Sequence, residues 1–137
     1  MNNDFTVDSI NRYIDQLNGN ATHYDISVIV YKVFKNMYRY LGSGQWQYYD
    51  FQDNSWKPDK NRLKFKNDIK TIMSDFFLTR YLYWYEKSQE AQNIDNDIHS
   101  KFMADKMFRL CQKMKDDKFI SVVIKEAKGF FDIYNDD

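Results

Sequence analysis

The sequence predicts a mainly α-helical domain, about five helices with one aromatic β-hairpin inserted at roughly residues 45–58. Three features lead there. Apolar residues recur at the helical period of about 3.6 along most of the chain. The stretch 42–59 interrupts that period and holds two of the three tryptophans, two of the four glycines and the only proline. Within it Trp46 and Tyr48, and then Trp56 beyond a Gln-Asp-Asn turn, alternate with polar neighbours, as in a strand pair with one aromatic face.

Residues 5–18 read as the first helix, with Phe5, Ile10, Tyr13, Ile14 and Leu17 near one face. Thr6 suits its N-cap, and Gly19 suits the left-handed position after its end. Residues 22–41 read as the second, striped by Ile26, Ile29, Val30, Val33, Phe34, Met37, Tyr38 and Leu41. Thr22 with Asp25 three residues on resembles a capping box, Asp replacing the usual Glu. Lys32, Lys35 and Arg39 mark the outer face. Gly42 and Gly44 release the chain into the hairpin, whose strands are expected at 45–51 and 55–57. Asp53-Asn54 suits the turn, because both residue types tolerate left-handed backbone and bond their own main chain. Pro58 has no N–H to donate and ends the second strand. A short hairpin alone is marginal in water, so Trp46, Tyr48 and Trp56 are expected to pack on the helices near Phe34 or Phe76.

A third helix is expected at 62–87, carrying Leu63, Ile69, Ile72, Met73, Phe76, Phe77, Tyr81 and Trp84. The polar run 88–96 reads as a loop. A fourth helix starts at Asp95-Asn96-Asp97, acids that suit the positive end of a helix dipole, and bears Ile98, Phe102, Met103, Met107, Leu110, Cys111 and Met114. After a turn at 115–118, a fifth runs over 119–134. Phe119, Ile120, Val123, Ile124, Ala127, Phe130, Phe131 and Tyr134 face inward, with Lys125, Glu126 and Lys128 outward. The chain closes on polar Asn135-Asp136-Asp137.

At 137 residues the whole chain, 1–137, reads as a single domain able to bury a core. A hydrophobic content of 43% and an aromatic content of 18% exclude a disordered chain. Lys and Arg number 20 and so do Asp and Glu, so the net charge is zero and any attraction to nucleic acid must come from a local patch. Cys111 is the single cysteine, which rules out an intramolecular disulfide and fits a reducing, intracellular compartment. Within the helical period it reads as a small buried hydrophobe. No apolar run reaches about 18 residues, so no membrane contact is expected. Met-Asn-Asn-Asp-Phe lacks the basic and apolar regions of a secretory signal.

Catalytic motifs are missing. There is no Gly-x-x-x-x-Gly-Lys-Ser/Thr, His-Glu-x-x-His, Cys-x-x-Cys or Gly-x-Ser-x-Gly, and Gly42-Ser43-Gly44 lacks the third glycine of a dinucleotide loop. His23 has no second ligand at metal spacing. Asp95, Asp97 and His99 lack the glycine and terminal glutamate of a calcium loop and read as capping. Asp50 with Asp53 belongs to turn chemistry. No catalytic residue, metal or cofactor is assigned, and this chain alone is not expected to be an enzyme.

Two stretches stand out as surfaces. Lys57, Lys60, Arg62, Lys64, Lys66 and Lys70 follow the hairpin, diluted only by Asp59 and Asp68. Such a run is ordinarily a solvated helix face; as a site it is a phosphate track, with Lys57, Lys60, Arg62, Lys64 and Lys66 the DNA-contact candidates. Tyr81-Leu82-Tyr83-Trp84-Tyr85 is ordinarily core at helical spacing; as a site it is an aromatic platform, with Tyr81, Tyr83 and Trp84 the partner-contact candidates.

The order of features carries a resemblance. A helix ending near Tyr38-Arg39-Tyr40-Leu41 leads into Trp46-Gln47-Tyr48-Tyr49-Asp50 and Asn54-Ser55-Trp56. After a variable middle come Leu110-Cys111-Gln112-Lys113-Met114, Phe119 through Ala127 with its Lys125-Glu126 pair, and Phe130-Phe131-Asp132. Over roughly residues 24–132 this resembles the D5 N-terminal-like domain of viral, phage and plasmid primase–superfamily 3 helicases. The resemblance implies a non-catalytic linker or collar in DNA replication. It would contact DNA phosphate, support homo-oligomeric ring assembly and join primase and helicase domains of the same or a partner chain, in host cytoplasm or at a viral replication site. The family's ATPase and primase motifs do not occur in this sequence, so the resemblance reaches the collar alone. The alternative expectation is a free-standing protein–protein interaction module using the Tyr81–Tyr85 aromatics.

Overall fold

The computed structural model describes residues 6–17 and 21–134. The expectations for Phe5, Gly19 and Asn135-Asp136-Asp137 lie outside the described residues. Helix α1 (Val7–Asp15) leads to α2 (His23–Phe34), then to three short strands, β1 (Tyr38–Tyr40), β2 (Trp46–Asp50) and β3 (Ser55–Pro58). A single 3-10 turn (Lys60–Arg62) opens α3 (Leu63–Asp68), which runs through a π-helical turn (Ile69–Met73) into α4 (Ser74–Glu90). Helices α5 (Ile94–Lys113) and α6 (Asp117–Phe131) complete the chain. Since α3 and α4 are one interrupted helix, the described residues form five helical rods and one small sheet. The mainly α fold with an aromatic hairpin is what the sequence predicts.

The helix starts follow local chemistry. Thr6 Oγ1 accepts the Ser9 N–H at 3.0 Å while Ser9 Oγ accepts the Thr6 N–H at 3.1 Å. At α2 the Thr22 hydroxyl and the Asp25 carboxylate make the same reciprocal pair. Asn93, not the run beginning at Asp95, caps α5, so the connection after α4 is shorter than expected. Asp95 and Asp97 lie in the first turn of α5. Asp116 caps α6.

The largest departure from the sequence reading is at 38–40. Helix α2 stops at Phe34, and Tyr38-Arg39-Tyr40 forms an edge strand antiparallel to β2, with Tyr38 opposite Tyr48 and Tyr40 opposite Trp46. Tyr38 and Tyr40 satisfy a two-residue period as well as a helical one, and tertiary pairing decides between them. The hairpin is therefore a three-stranded sheet in the order β1-β2-β3. Asp50 pairs with Ser55, leaving a four-residue loop in which Asn54 is left-handed (φ 54°) and Asp50 Oδ1 accepts the Gln52 N–H at 2.9 Å.

The sheet's aromatic residues are split between its faces. Trp46 is buried, its ring 5.2 Å from Phe65, 5.1 Å from Tyr40 and 5.5 Å from Phe131. Tyr38 stacks on Phe65 at 4.1 Å, and Phe34 meets both. Tyr48 packs against this core. Trp56 does not join them: it faces the other way, edge-on to Tyr49 at 5.2 Å, with the Arg39 guanidinium 4.4 Å over its ring. Tyr49 and Trp56 are register partners, so a residue paired with Tyr49 must share its face rather than that of Tyr48. The packing centre is Phe65, which the sequence reading passed over, and not Phe76.

Around this aromatic centre α2 packs along α6, and α4 packs along α5 as a helical hairpin. Ile69, Met73 and Phe77 are fully buried at intervals of four residues through the π-helical turn. Leu63, at the start of α3, is exposed. The chain end of α6 returns to the sheet: Ile133 N–H donates to Tyr40 O at 3.1 Å beside a parallel bridge between Tyr40 and Asp132. No helix among the described residues is long and apolar enough to cross a membrane.

Candidate nucleic-acid interface

The turn after β3 places the basic residues, and Asp59 shapes it. Its carboxylate is buried and accepts two N–H groups, those of Lys64 and Phe65, each at 2.9 Å, satisfying donors at the start of α3. The Arg62 N–H donates to Asp59 O at 3.1 Å. To close this turn Asn61 and Arg62 both take left-handed backbone, φ 55° and 56°. Asparagine tolerates that conformation; for arginine it costs about 1 kcal/mol.

The five sequence-predicted cations do not behave alike. Lys57 lies between two carboxylates, 2.7 Å from Asp50 and in contact with Asp53. Its ammonium is held above the ordinary lysine range, first by the bond to Asp50 and then by that to Asp53. Lys64 pairs with Asp68 at 3.2 Å and lies 5.2 Å over the Tyr48 ring. Asp68 also accepts the Tyr38 hydroxyl. Lys57 and Lys64 are thus neutralised locally. Lys60, Arg62 and Lys66 form no ion pair among the described residues. Lys70 is engaged by Asp117 at 2.5 Å.

Arg62 is the unusual member. Its Nε is out of contact with solvent and has no hydrogen-bond partner among the described residues. A buried donor left unsatisfied costs about 1–3 kcal/mol, and natural structures contain few of them. Two residues that the sequence reading placed only as outward-facing, Lys125 and Lys128, line a cleft with Arg62. Their spacing on α6 was visible in the sequence; the approach of α6 to the β3–α3 turn was not.

The aromatic run on α4 is divided by the helix. Tyr81 stacks near Tyr85 at 6.0 Å and meets Phe108 of α5 at 5.5 Å. Trp84 points elsewhere: its Nε1 donates to Asp15 at 3.0 Å, and its ring meets His99 edge-on at 5.4 Å. Tyr83 is exposed beneath the Arg80 guanidinium, 4.0 Å from the ring centroid. Tyr81, Tyr83 and Trp84 therefore do not form one platform. Cys111 is buried, and burial raises its thiol above the ordinary value, the thiol of a packing residue. Among the described residues no group of three or more His, Cys, Asp or Glu side chains is placed to hold a metal ion.

No known protein family matches the chain, and no curated protein matches it either.

Proposed function

We propose that this domain is a non-catalytic module that contacts nucleic-acid phosphate, in the manner of the collar of a D5-type primase–helicase acting in DNA replication. The observation that carries the reading is the contrast within the basic run. Lys57 and Lys64 are bound to carboxylates, whereas Lys60, Arg62 and Lys66 form no ion pair among the described residues. Those three lie on one short segment, the turn after β3 and the first turn of α3. A chain with zero net charge that concentrates unpaired cations in one place attracts polyanions there. Ring assembly and the link to primase and helicase domains follow from the family resemblance.

The test is the affinity for a fluorescein-labelled single-stranded oligonucleotide at several salt concentrations. Phosphate contact requires log K to fall linearly with log salt, and the slope should shrink by about 2 in Lys60→Glu/Lys66→Glu. Unchanged affinity in that variant refutes the assignment.

A second reading has its own observation. Tyr83, Tyr85, Leu82 and Leu78 are exposed on α4. This favours a protein partner on that helix. Wild-type capture of such a partner, lost in Tyr83→Ala, with no oligonucleotide binding, would select it.

A further inference from the structure

Across the β3–α3 turn, α6 presents Ser121, Lys125 and Lys128, residues one helical turn apart along one side of the helix. With Arg62 they line a cleft of ~340 Å3 whose remaining walls are Trp46, Val122 and Ile124. Among the described residues three cations line it and no carboxylate does. Lys125, like Arg62, has no ion pair among the described residues. Lys128 lies 5.6 Å over the Tyr40 ring and forms no ion pair among the described residues. The Arg62 Nε is a buried donor without an acceptor among the described residues, in a residue held in left-handed backbone that glycine would adopt more easily.

We infer that this cleft is a seat for one phosphate group. Arg62 and Lys125 are its charge partners, Lys128 borders it, and the Ser121 hydroxyl is a further donor. The chemistry selects phosphate over carboxylate. Three positive charges and a hydroxyl donor lining one cleft match a tetrahedral anion with several acceptor oxygens. The apolar walls, Val122 and Ile124, suit a sugar attached to it. The source of that phosphate, a polynucleotide backbone, rests on the function proposed above; the seat itself does not. Backbone strain at Arg62 then has a reason: the left-handed turn holds its side chain at this cleft.

Arg62→Gly is the informative variant, because it removes the cation while relieving the backbone. It should fold with a raised Tm. Fluorescence anisotropy with an oligothymidylate of about 20 nucleotides would be run on the wild type, Arg62→Gly, Lys125→Glu and, as a charge control on α5, Lys101→Glu. In parallel, amide NMR shifts would be followed during titration with inorganic pyrophosphate. Weakening of about tenfold or more in Arg62→Gly and in Lys125→Glu, but not in Lys101→Glu, establishes the seat on a polynucleotide. Oligonucleotide binding that all variants retain overturns the seat and leaves the nucleic-acid reading standing. Pyrophosphate shifts confined to residues 121–128 and the 59–62 turn, with no oligonucleotide binding, keep the seat for a free phosphate compound and overturn the nucleic-acid reading. Absence of both responses overturns both.

Discussion

Arg80 and Asp15, 65 residues apart in the chain, form a two-pronged ion pair, Nε to Oδ1 at 2.9 Å and Nη2 to Oδ2 at 2.5 Å. Trp84 Nε1 donates to the same carboxylate at 3.0 Å. Asp15 thus anchors the end of α1 to one side of α4, and the pair is largely shielded from solvent. The bond to Asp15 is the first cause holding the Arg80 guanidinium above its ordinary range. Asp15→Ala should lower stability by about 2–3 kcal/mol, since it leaves a guanidinium and an indole N–H without their acceptor. A double-mutant cycle with Arg80→Ala in urea should return a coupling of about 1–2 kcal/mol, and additive effects would refute the pairing.

Lys106 is buried, and its ammonium donates to two main-chain oxygens, Asp15 O at 2.8 Å and Leu17 O at 2.6 Å. These carbonyls lie at and just beyond the end of α1, where a helix leaves its last main-chain oxygens in need of donors. Lys106→Met keeps the stem's packing and removes only the donor. The expected loss is about 1–3 kcal/mol in chemical denaturation. A loss no larger than that of an exposed lysine variant such as Lys118→Met would show that the carbonyls find other donors.

The two faces of the sheet predict unequal tryptophans. Trp46→Ala removes the ring at the Phe65–Phe131 junction and should cost about 3–5 kcal/mol. Trp56→Ala loses its Tyr49 and Arg39 contacts on the other face and should cost about 1 kcal/mol. Thermal denaturation of the two variants decides it. Equal losses would mean that Trp56 also belongs to the core.

The hairpin turn should be acid-sensitive. Asp50 is held below its ordinary 3.8, chiefly by the bond from Lys57 and then by the Gln52 N–H. A depressed folded-state value means the unfolded chain binds the proton more tightly. The contribution of Asp50 is therefore fully present above its unfolded value and is lost as pH falls through the folded one. Order in the loop between β2 and β3 should hold from neutral pH to about pH 4 and decline below it. In Lys57→Met the decline should begin at higher pH. NMR titration of the Gln52 and Asp53 amides reports this directly, and identical titrations in the two proteins would refute the pairing.

Much of the fold was legible because its signals are local. Thr6, Thr22 and the long apolar stripes need only their neighbours to act, and the helices appear where they place them. Tyr38 to Tyr40 was misread because its residues fit two periods at once, and the choice was made by β2, not by the segment itself. Phe65 was missed for a related reason. It sits between Lys64 and Lys66 and reads as a solvated stretch, yet it is fully buried at the aromatic centre. The basic site was half legible. The cations on the run itself could be named, but which of them carboxylates neutralise, and that Lys125 and Lys128 join them, depends on distances the sequence does not encode.

The π-helical turn between α3 and α4 holds one residue more than a regular helix would place there. A π turn absorbs that residue while the helices on either side stay in phase, so removing one residue from 69–73 should let the helix close regularly with Arg80 and Trp84 still turned toward Asp15. An extra residue placed between the π turn and Arg80 has no such slack and would turn the rest of α4 by about 100°, away from Asp15. The two ends of this long helix answer to different clients, the sheet and α1, and the π turn takes up the one residue by which their spacing departs from the regular repeat.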